Sequence, residues 1–208
     1  MSKMARRTKN LIRRTRGMIG RTPRCINLDR TPALPIIGYV EVNKNATTPF
    51  SRGKVHKGTF ACPKVDVTNG DLILDRADSD YYFVMDSKVE VFNGEEVYID
   101  ATMYRCDATV EIQRFEAGAR DTFGRSLVDT PTVIASGVRA MFNPMNFDVK
   151  EQQDRLIANN KIKLCVQSKN DVRVADRLVT ATDVYRVISL DNISLENLTL
   201  CVVDADVR

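Results

Sequence analysis

The sequence predicts a mainly β protein made of two small antiparallel barrel- or sandwich-like units behind an extended basic arm. Two Asn-Gly dipeptides, at residues 69–70 and 93–94, separate stretches in which Val, Ile, Tyr and Phe alternate with polar residues. Asn-Gly is a strong hairpin-turn signal, and period-two alternation is typical of a half-buried strand. A chain of 208 residues is long enough for two small domains.

One stretch occurs in similar form in each half of the chain. Residues 66–86 read DVTNGDLILDRADSDYYFVMD, and residues 171–191 read DVRVADRLVTATDVYRVISLD. An ungapped alignment has five identities, which pair Asp66, Val67, Asp71, Asp78 and Asp86 with Asp171, Val172, Asp176, Asp183 and Asp191. This pattern favours duplication of one β-rich unit. Aspartate is common in turns, so two unrelated hairpins are the alternative.

The segment 1–24 is strongly basic. It holds nine Lys or Arg and no acid in a chain of net charge +4, so the segment 25–208 carries a net charge of −5. The candidate contact residues of this arm are Lys3, Arg6, Arg7, Lys9, Arg13, Arg14, Arg16, Arg21 and Arg24. Residues 5–16 can form an amphipathic helix, which favours a partner surface. Docking on a subunit, binding to nucleic acid and a disordered tail all stay open.

A proline-rich connector follows, and arm and connector together span residues 1–35. Pro23, Pro32 and Pro35 fix the backbone and predict an extended path. The first β-rich unit spans residues 36–115. Its strands are predicted at residues 39–43, 58–67, 71–74, 81–92, 95–106 and 108–115.

Two polar loops, residues 44–58 and the linker at residues 116–132, interrupt the strand pattern. Long loops are often functional, or become ordered in an assembly. Their candidate interface residues are Arg52, Lys54, His56, Lys57, Arg120, Phe123 and Arg125. His56 is the only histidine, and we expect a solvated side chain rather than a catalytic base.

The second β-rich unit spans residues 133–208. It begins with a strand pair broken near Gly137 and Pro144. Residues 148–160 are the best helix candidate, with a polar loop or lid as the alternative. Strand patterns follow at residues 161–167, 177–191 and 198–203.

The sequence lacks the patterns of a catalytic or metal site. It has no P-loop, dinucleotide-binding, nucleophile-elbow or HExxH motif. Its five cysteines form no CxxC pair, which argues against a zinc site or a disulfide framework, and most fit buried thiols. The acidic residues 75–80 lack calcium-loop spacing, and no apolar run approaches the roughly 20 residues of a membrane span. We expect no enzyme activity and no cofactor.

The last part of the chain carries a family resemblance. Asp171 precedes Asp176-Arg177-Leu178-Val179, and after a turn come Tyr185-Arg186-Val187-Ile188 and an apolar strand at residues 198–203. This succession resembles the C-terminal sheet of the head-closure proteins of tailed bacteriophages, the head–tail joining or "stopper" family. The preceding residues 135–147 resemble that family's first strand and the loop after it. The resemblance covers the segment from Val133 to Arg208.

The resemblance implies a structural protein of the virion neck, assembled in the bacterial cytoplasm. Such proteins form a ring, here expected to be twelvefold or sixfold, that closes or lines the DNA channel between portal and tail. Implied partners are further copies of the chain, portal or adaptor and tail proteins, and the passing genomic DNA, with no membrane. An acidic body fits a channel wall because like charges repel. The arm would clasp a neighbour, and residues 52–58 and 116–132 would contact neighbours or gate the channel.

The arm also permits a different class of function, a nucleic-acid-binding β-barrel. Such a protein would grip phosphates with the arm and stack bases on aromatic side chains such as Tyr81, Tyr82 and Phe83. Because side chains alternate along a strand, Tyr82 cannot share a face with the other two, and core packing is the simpler explanation.

Overall fold

The structure is a computed structural model that describes residues 24–42, 55–61, 67–92, 95–115, 131–144 and 162–206. These residues form thirteen β-strands, a 3₁₀ turn at Ser168–Asn170 and the connecting turns. The predicted mainly β class is therefore confirmed. The chain divides into two compact units, Met1–Arg105 and Cys106–Arg208.

The described residues of the first unit form seven strands. They are β1 (Cys25–Asn27), β2 (Leu34–Ile36), β3 (Gly38–Val42), β4 (Val55–Ala61), β5 (Leu72–Asp75), β6 (Asp80–Phe92) and β7 (Glu95–Arg105). All pairings are antiparallel, in the order β2-β1-β5-β6-β7-β4-β3. The two outermost strands, β2 and β3, are separated in the chain only by Ile37, so the sheet is nearly closed on itself.

The second unit is a closed six-stranded barrel. Its strands are β8 (Ala108–Phe115), β9 (Pro131–Pro144), β10 (Ile162–Gln167), β11 (Arg177–Val179), β12 (Val184–Asp191) and β13 (Leu198–Ala205). They follow the order β10-β13-β12-β11-β8-β9, and β9 pairs with both β8 and β10 to close the barrel.

The two units share one strand arrangement. β9 takes the place of β2 and β3 together, and β8, β11, β12, β13 and β10 correspond to β1, β5, β6, β7 and β4. Both units also have a register irregularity at the same point, between Val84 and Asp86 in β6 and between Val187 and Ser189 in β12. A bulge increases local twist and helps a sheet curve into a barrel. The predicted repeat is therefore seen as a repeated topology.

The two cores are filled differently at equivalent positions. Gly58 and Phe60 of β4 correspond to Leu164 and Val166 of β10, as their pairing with β7 and β13 shows. A Cβ on Gly58 would lie 2.7 Å from the Phe60 ring and 3.0 Å from the Met103 methyl. The Phe60 ring therefore fills space that Leu164 fills in the barrel. Close-packed interiors require such compensation, because a void forfeits dispersion contacts.

The structure corrects three predicted boundaries. β1 and β2 lie in the stretch predicted as connector, since Cys25 is fully buried and pairs with both β2 and β5. β8 belongs to the second unit, because it pairs with β9 and β11. β9 is one strand of 14 residues rather than a broken pair. It accommodates Gly137, at φ 69°, where its register with β8 is irregular.

Several predictions fall on residues outside the described ranges. They concern the arm up to residue 23, most of the loop at 44–58, the linker at 116–130 and the helix candidate at 148–160.

Candidate functional site

The described part of the chain contains seven of the residues proposed as functional: Arg24, His56, Lys57, Asp171, Asp176, Arg177 and Tyr185. The remaining candidates lie outside it, namely Lys3, Arg6, Arg7, Lys9, Arg13, Arg14, Arg16, Arg21, Arg52, Lys54, Arg120, Phe123 and Arg125.

The hairpin that carries the family resemblance begins with a tight turn, residues 173–176, called here the second aspartate turn. The N–H of Asp176 donates to the carbonyl of Arg173 (3.1 Å), and the N–H of Arg173 donates to Oδ2 of Asp176 (2.8 Å). Ala175 adopts φ 73° inside the turn. The N–H of Ala175 donates to the carbonyl of Val187 (2.9 Å), and the N–H of Val187 donates to the carbonyl of Asp176 (2.9 Å). The turn is therefore fixed against β12.

Arg114 of β8 binds the aspartate of this turn. Its Nε and Nη2 donate to the two carboxylate oxygens of Asp176, each at 2.9 Å, and the Asp176 side chain is 2% exposed. Nη2 also donates to the Asp171 carbonyl at 2.6 Å. Such bidentate, charge-assisted pairs are strong and orientation-specific. The hydrogen bonds to Asp176 are the main reason why the pKa of Arg114 is raised, so the guanidinium stays charged.

Asp171 lies at the exposed rim of this network. Arg173 Nη2 donates to its Oδ2 at 2.7 Å, and Arg114 Nη1 lies 3.3 Å from the same atom. These partners, Arg173 first, lower the pKa of Asp171 below its ordinary value. The carboxylate is 59% exposed, so solvent screens the interaction.

The first unit contains the same turn at residues 68–71, the first aspartate turn. The N–H of Asp71 donates to Thr68 (3.2 Å), and the N–H of Thr68 donates to Oδ2 of Asp71 (2.9 Å). Gly70 has φ 86°. Its N–H donates to the carbonyl of Val84 (2.7 Å), and the N–H of Val84 donates to the carbonyl of Asp71 (3.0 Å). Asp71 and Asp176 are thus equivalent, as the ungapped alignment predicted.

After the aspartate turn and the strand that follows it, the ungapped alignment is offset by two residues from the correspondence seen in the structure. Ile73 pairs with Tyr82, and the equivalent Leu178 pairs with Tyr185. The connection between the two strands is therefore two residues shorter in the barrel. As a result Asp86 corresponds to Ser189 and not to Asp191.

The two aspartates are satisfied by different side chains. Asn27 Nδ2 donates to Oδ2 of Asp71 at 2.8 Å, and Arg30 Nη2 lies 3.3 Å from the same atom. Asn27 belongs to β1 and Arg30 follows it, whereas Arg114 belongs to β8, the strand equivalent to β1. The same neighbouring segment therefore supplies the partner in both units.

Arg24 binds two aspartates of its own unit. Its Nε and Nη2 donate to the two oxygens of Asp75, each at 2.7 Å, and Nη2 also reaches Asp78 at 3.2 Å. The Asp75 side chain is fully buried. Hydrogen bonding to Asp75 is the main cause of the raised pKa of Arg24.

The prediction that His56 and Lys57 lie in a solvated loop is wrong. Both belong to β4, which pairs with β3 on one side and β7 on the other. His56 is 7% exposed, and its ring meets the Tyr82 ring edge-on at a centroid distance of 4.9 Å. Lys57 Nζ lies 2.7 Å from Oδ2 of Asp100 on β7.

Arg177 and Tyr185 also contact residues of their own barrel. Arg177 Nε lies 3.0 Å from Oδ2 of Asp206, and the guanidinium carbon lies 5.9 Å from the Phe115 ring centroid. The Tyr185 ring lies 5.7 Å from the Phe142 ring, and burial raises the pKa of its hydroxyl. These contacts tie β11 and β12 to β9 and to the chain that follows β13.

The described ion pairs hold strands and turns in place. Asp75, Asp71 and Asp176 are each bound by an arginine, so they are not placed as free bases. Within the described ranges, no three His, Cys, Asp or Glu side chains are grouped to hold a metal ion. Sequence reasoning missed Arg114 and Arg30, which lie 62 and 41 residues from their aspartates. No local pattern indicates such distant partners.

Comparison with protein-family models, curated proteins and solved structures finds no match to this chain. In the part of the chain that the structure describes, there is no helix long and apolar enough to span a membrane.

Proposed function

We propose that the chain is a structural protein of the virion neck of a tailed bacteriophage. Copies of it form a ring between portal and tail, close or line the DNA channel, and join head to tail. The observation that carries this proposal is the closed barrel of the second unit. The hairpin that resembles the head-closure family supplies two of its strands, β11 and β12.

The contacts of that hairpin favour a structural role. Asp176 and Arg177 are each engaged in an ion pair within the barrel, at 2.9 Å to Arg114 and 3.0 Å to Asp206. Side chains that are held this way fix the orientation of the hairpin within the barrel. They are not arranged as a nucleophile, base and oxyanion site.

The second unit also offers apolar side chains for contact with neighbouring proteins. Five of them are 38–95% exposed, namely Val133, Ile134, Val174, Ile188 and Ile193. Ile193 stands at the tip of a turn in which Asp191 accepts the backbone N–H groups of Ile193 (2.9 Å) and Ser194 (3.0 Å). Burial of apolar surface stabilises a protein interface, whereas binding to DNA depends mainly on phosphate contacts.

The charge distribution suits the same assignment. The basic arm carries nine cations, of which Arg24 pairs with Asp75 of its own unit, and the remainder of the chain has a net charge of −5. An acidic body repels DNA and lets it pass without sticking, while a basic arm can clasp an acidic neighbour.

The test is made in the phage that encodes the chain. Antibody-gold labelling of intact virions should mark the head–tail junction, and a nonsense mutation in the gene should give separate heads and tails. Intact virions that assemble without the protein, or label elsewhere, would refute the proposal.

The alternative function is a nucleic-acid-binding barrel that uses the basic arm. It predicts that binding to double-stranded DNA falls by about 10³–10⁵-fold between ~50 and ~200 mM salt, if six to ten phosphates are contacted. Fluorescence anisotropy measures this, with a chain lacking residues 1–23 as the matched control. The deletion stops before Arg24 because Arg24 holds the buried Asp75. DNA binding that the deletion abolishes would favour this alternative.

A further inference from the structure

The hairpin of β6 and β7 is longer than its counterpart in the second unit. Lys88 of β6 corresponds to Asp191, the residue at which β12 ends, because they pair with the equivalent residues Asp100 and Leu200. β6 itself continues to Phe92. The barrel of the second unit closes without this extra ribbon, so closure does not require it.

One edge of the extra ribbon has no strand partner among the described residues. β5 pairs with β6 only as far as Phe83, and the first aspartate turn bonds to Val84. The opposite edge of β6 pairs with β7 as far as Phe92, with one register irregularity between Glu90 and Val91, where the extra residue belongs to β7. Beyond Ser87, whose hydroxyl donates to Asn69 at 3.2 Å, β6 presents backbone N–H and C=O groups along one side. Such an edge is a template for another strand.

The side chains along this edge alternate between apolar and charged. Val89 and Val91 are 41% and 59% exposed and share one face, since side chains repeat every two residues. Lys88 and Glu90 lie on the other face, where Nζ and Oε1 are 3.0 Å apart.

This alternation is self-complementary when two such edges run antiparallel. If Val89 lies opposite Val89 of a second copy, then Lys88 of each copy lies opposite Glu90 of the other, and Val91 lies opposite Ser87. A register shifted by two residues in either direction would place Lys88 opposite Lys88 or Glu90 opposite Glu90. Like charges directly opposite each other are destabilising, whereas opposite charges and apolar pairs stabilise a sheet.

We propose that two copies of the free chain pair through this edge, residues 87–91, around a two-fold axis at Val89. The pairing extends two sheets into one, with backbone hydrogen bonds, a Val89 pair and two Lys88–Glu90 ion pairs. The proposal does not rest on the proposed function. A two-fold contact is complete after two chains, whereas a cyclic ring uses a head-to-tail contact elsewhere on the surface.

Charge reversal tests the pairing directly in the full-length chain. Lys88→Glu alone sets Glu opposite Glu at both positions, and Glu90→Lys alone sets Lys opposite Lys. We expect each single variant to raise the dimer dissociation constant by about tenfold or more. An equimolar mixture of the two variants should dimerise as wild type does, because every Glu again meets a Lys. The double variant should do the same. Sedimentation equilibrium measures all four.

Val89→Lys places two lysines on the axis and should abolish the dimer. Val42→Lys is the matched control, because Val42 is a 51% exposed valine of the same unit on β3, and it should leave the dimer unchanged. The proposal is overturned by a monomeric wild type, by single variants that dimerise normally, or by a mixture that pairs no better than its components. Phage neck labelling does not depend on any of these results, so the two proposals fail separately.

Discussion

Removal of the Asp176 carboxylate should selectively destabilise the second unit. Asp176→Ala deletes the acceptor of three hydrogen bonds, two from Arg114 at 2.9 Å and one from the Arg173 N–H at 2.8 Å. Arg114, whose side chain is 19% exposed in the native structure, then keeps Asp171 as a partner.

The magnitude follows from this burial. Loss of one partner of a buried ion pair costs about 3–5 kcal/mol, because the other charge stays desolvated. Since Asp171 retains part of the interaction with Arg114, we expect the lower end, about 3 kcal/mol. For a unit of this size, that lowers the midpoint of thermal unfolding by roughly 12–24 °C.

Hydrogen–deuterium exchange resolved by peptide is the assay, because it reports on each unit separately. Asp176→Ala should reduce protection in residues 106–206 and leave residues 24–105 unchanged, and Asp71→Ala should do the reverse. Asp171→Asn is the control, because the Asp171 carboxylate is 59% exposed and asparagine tolerates the φ of 48° at this position. A double variant with Arg114→Ala should lose less than the sum of the two single variants. Strict additivity, or equal effects of Asp171→Asn and Asp176→Ala, would refute the reasoning.

Four further predictions follow from described contacts. Arg24→Ala leaves the buried Asp75 unpaired and should cost the first unit about 3 kcal/mol in urea unfolding, while the exposed Arg76→Ala should cost little; equal effects would contradict this. Ala175→Gly should stabilise the second unit by about 1 kcal/mol, because Ala175 has φ 73°, and Gly70→Ala should destabilise the first by a similar amount. Hydrogen bonds from Ser194 lower the pKa of Asp191 to about 2, so its stabilising contribution is complete above about pH 4 and is lost as the pH falls through 2. Ser194→Ala should raise that pKa in a carboxyl NMR titration, and an unchanged value would count against the turn. Burial raises the pKa of Cys25, Cys165 and Cys201 to about 12, so iodoacetamide should label the half-buried Cys106 before these three, as mass spectrometry of peptides will show.

The strand pattern was readable from the sequence because it depends on local chemistry. The alternating residues of β6 and β7, on either side of Asn93-Gly94, indicate a hairpin without any knowledge of tertiary contacts. A turn is also present at Asn69-Gly70, but it does not join a hairpin, because β4 and β5 do not pair. The repeat was also detectable, since an aspartate that accepts the N–H three residues before it is needed wherever this turn occurs.

The boundaries between units were not readable in this way. β8 follows β7 after only two residues, and nothing in its own sequence states that it pairs with β9 and β11. β1 is three residues long in a stretch with prolines, and only its burial against β5 identifies it as a strand.

The ion-pair partners were equally hidden. A carboxylate in a turn is normally solvated, so Asp176 gives no local sign that Arg114, 62 residues earlier, will bury it. His56 shows the opposite case, because basic neighbours suggested a loop while pairing on both sides made it the interior of a sheet.

The shared strand order has a consequence for folding. Tandem units with the same topology can exchange equivalent strands before either is complete, which is a characteristic failure of repeat proteins. Here the outcome depends on how well one hairpin fits the other unit. The pair Leu72–Phe83, 8% and 0% exposed, is replaced by Arg177–Arg186 at the equivalent position. A hairpin of the second unit inserted in the first would place two arginines where Leu72 and Phe83 are buried, so the divergence between the copies disfavours this exchange.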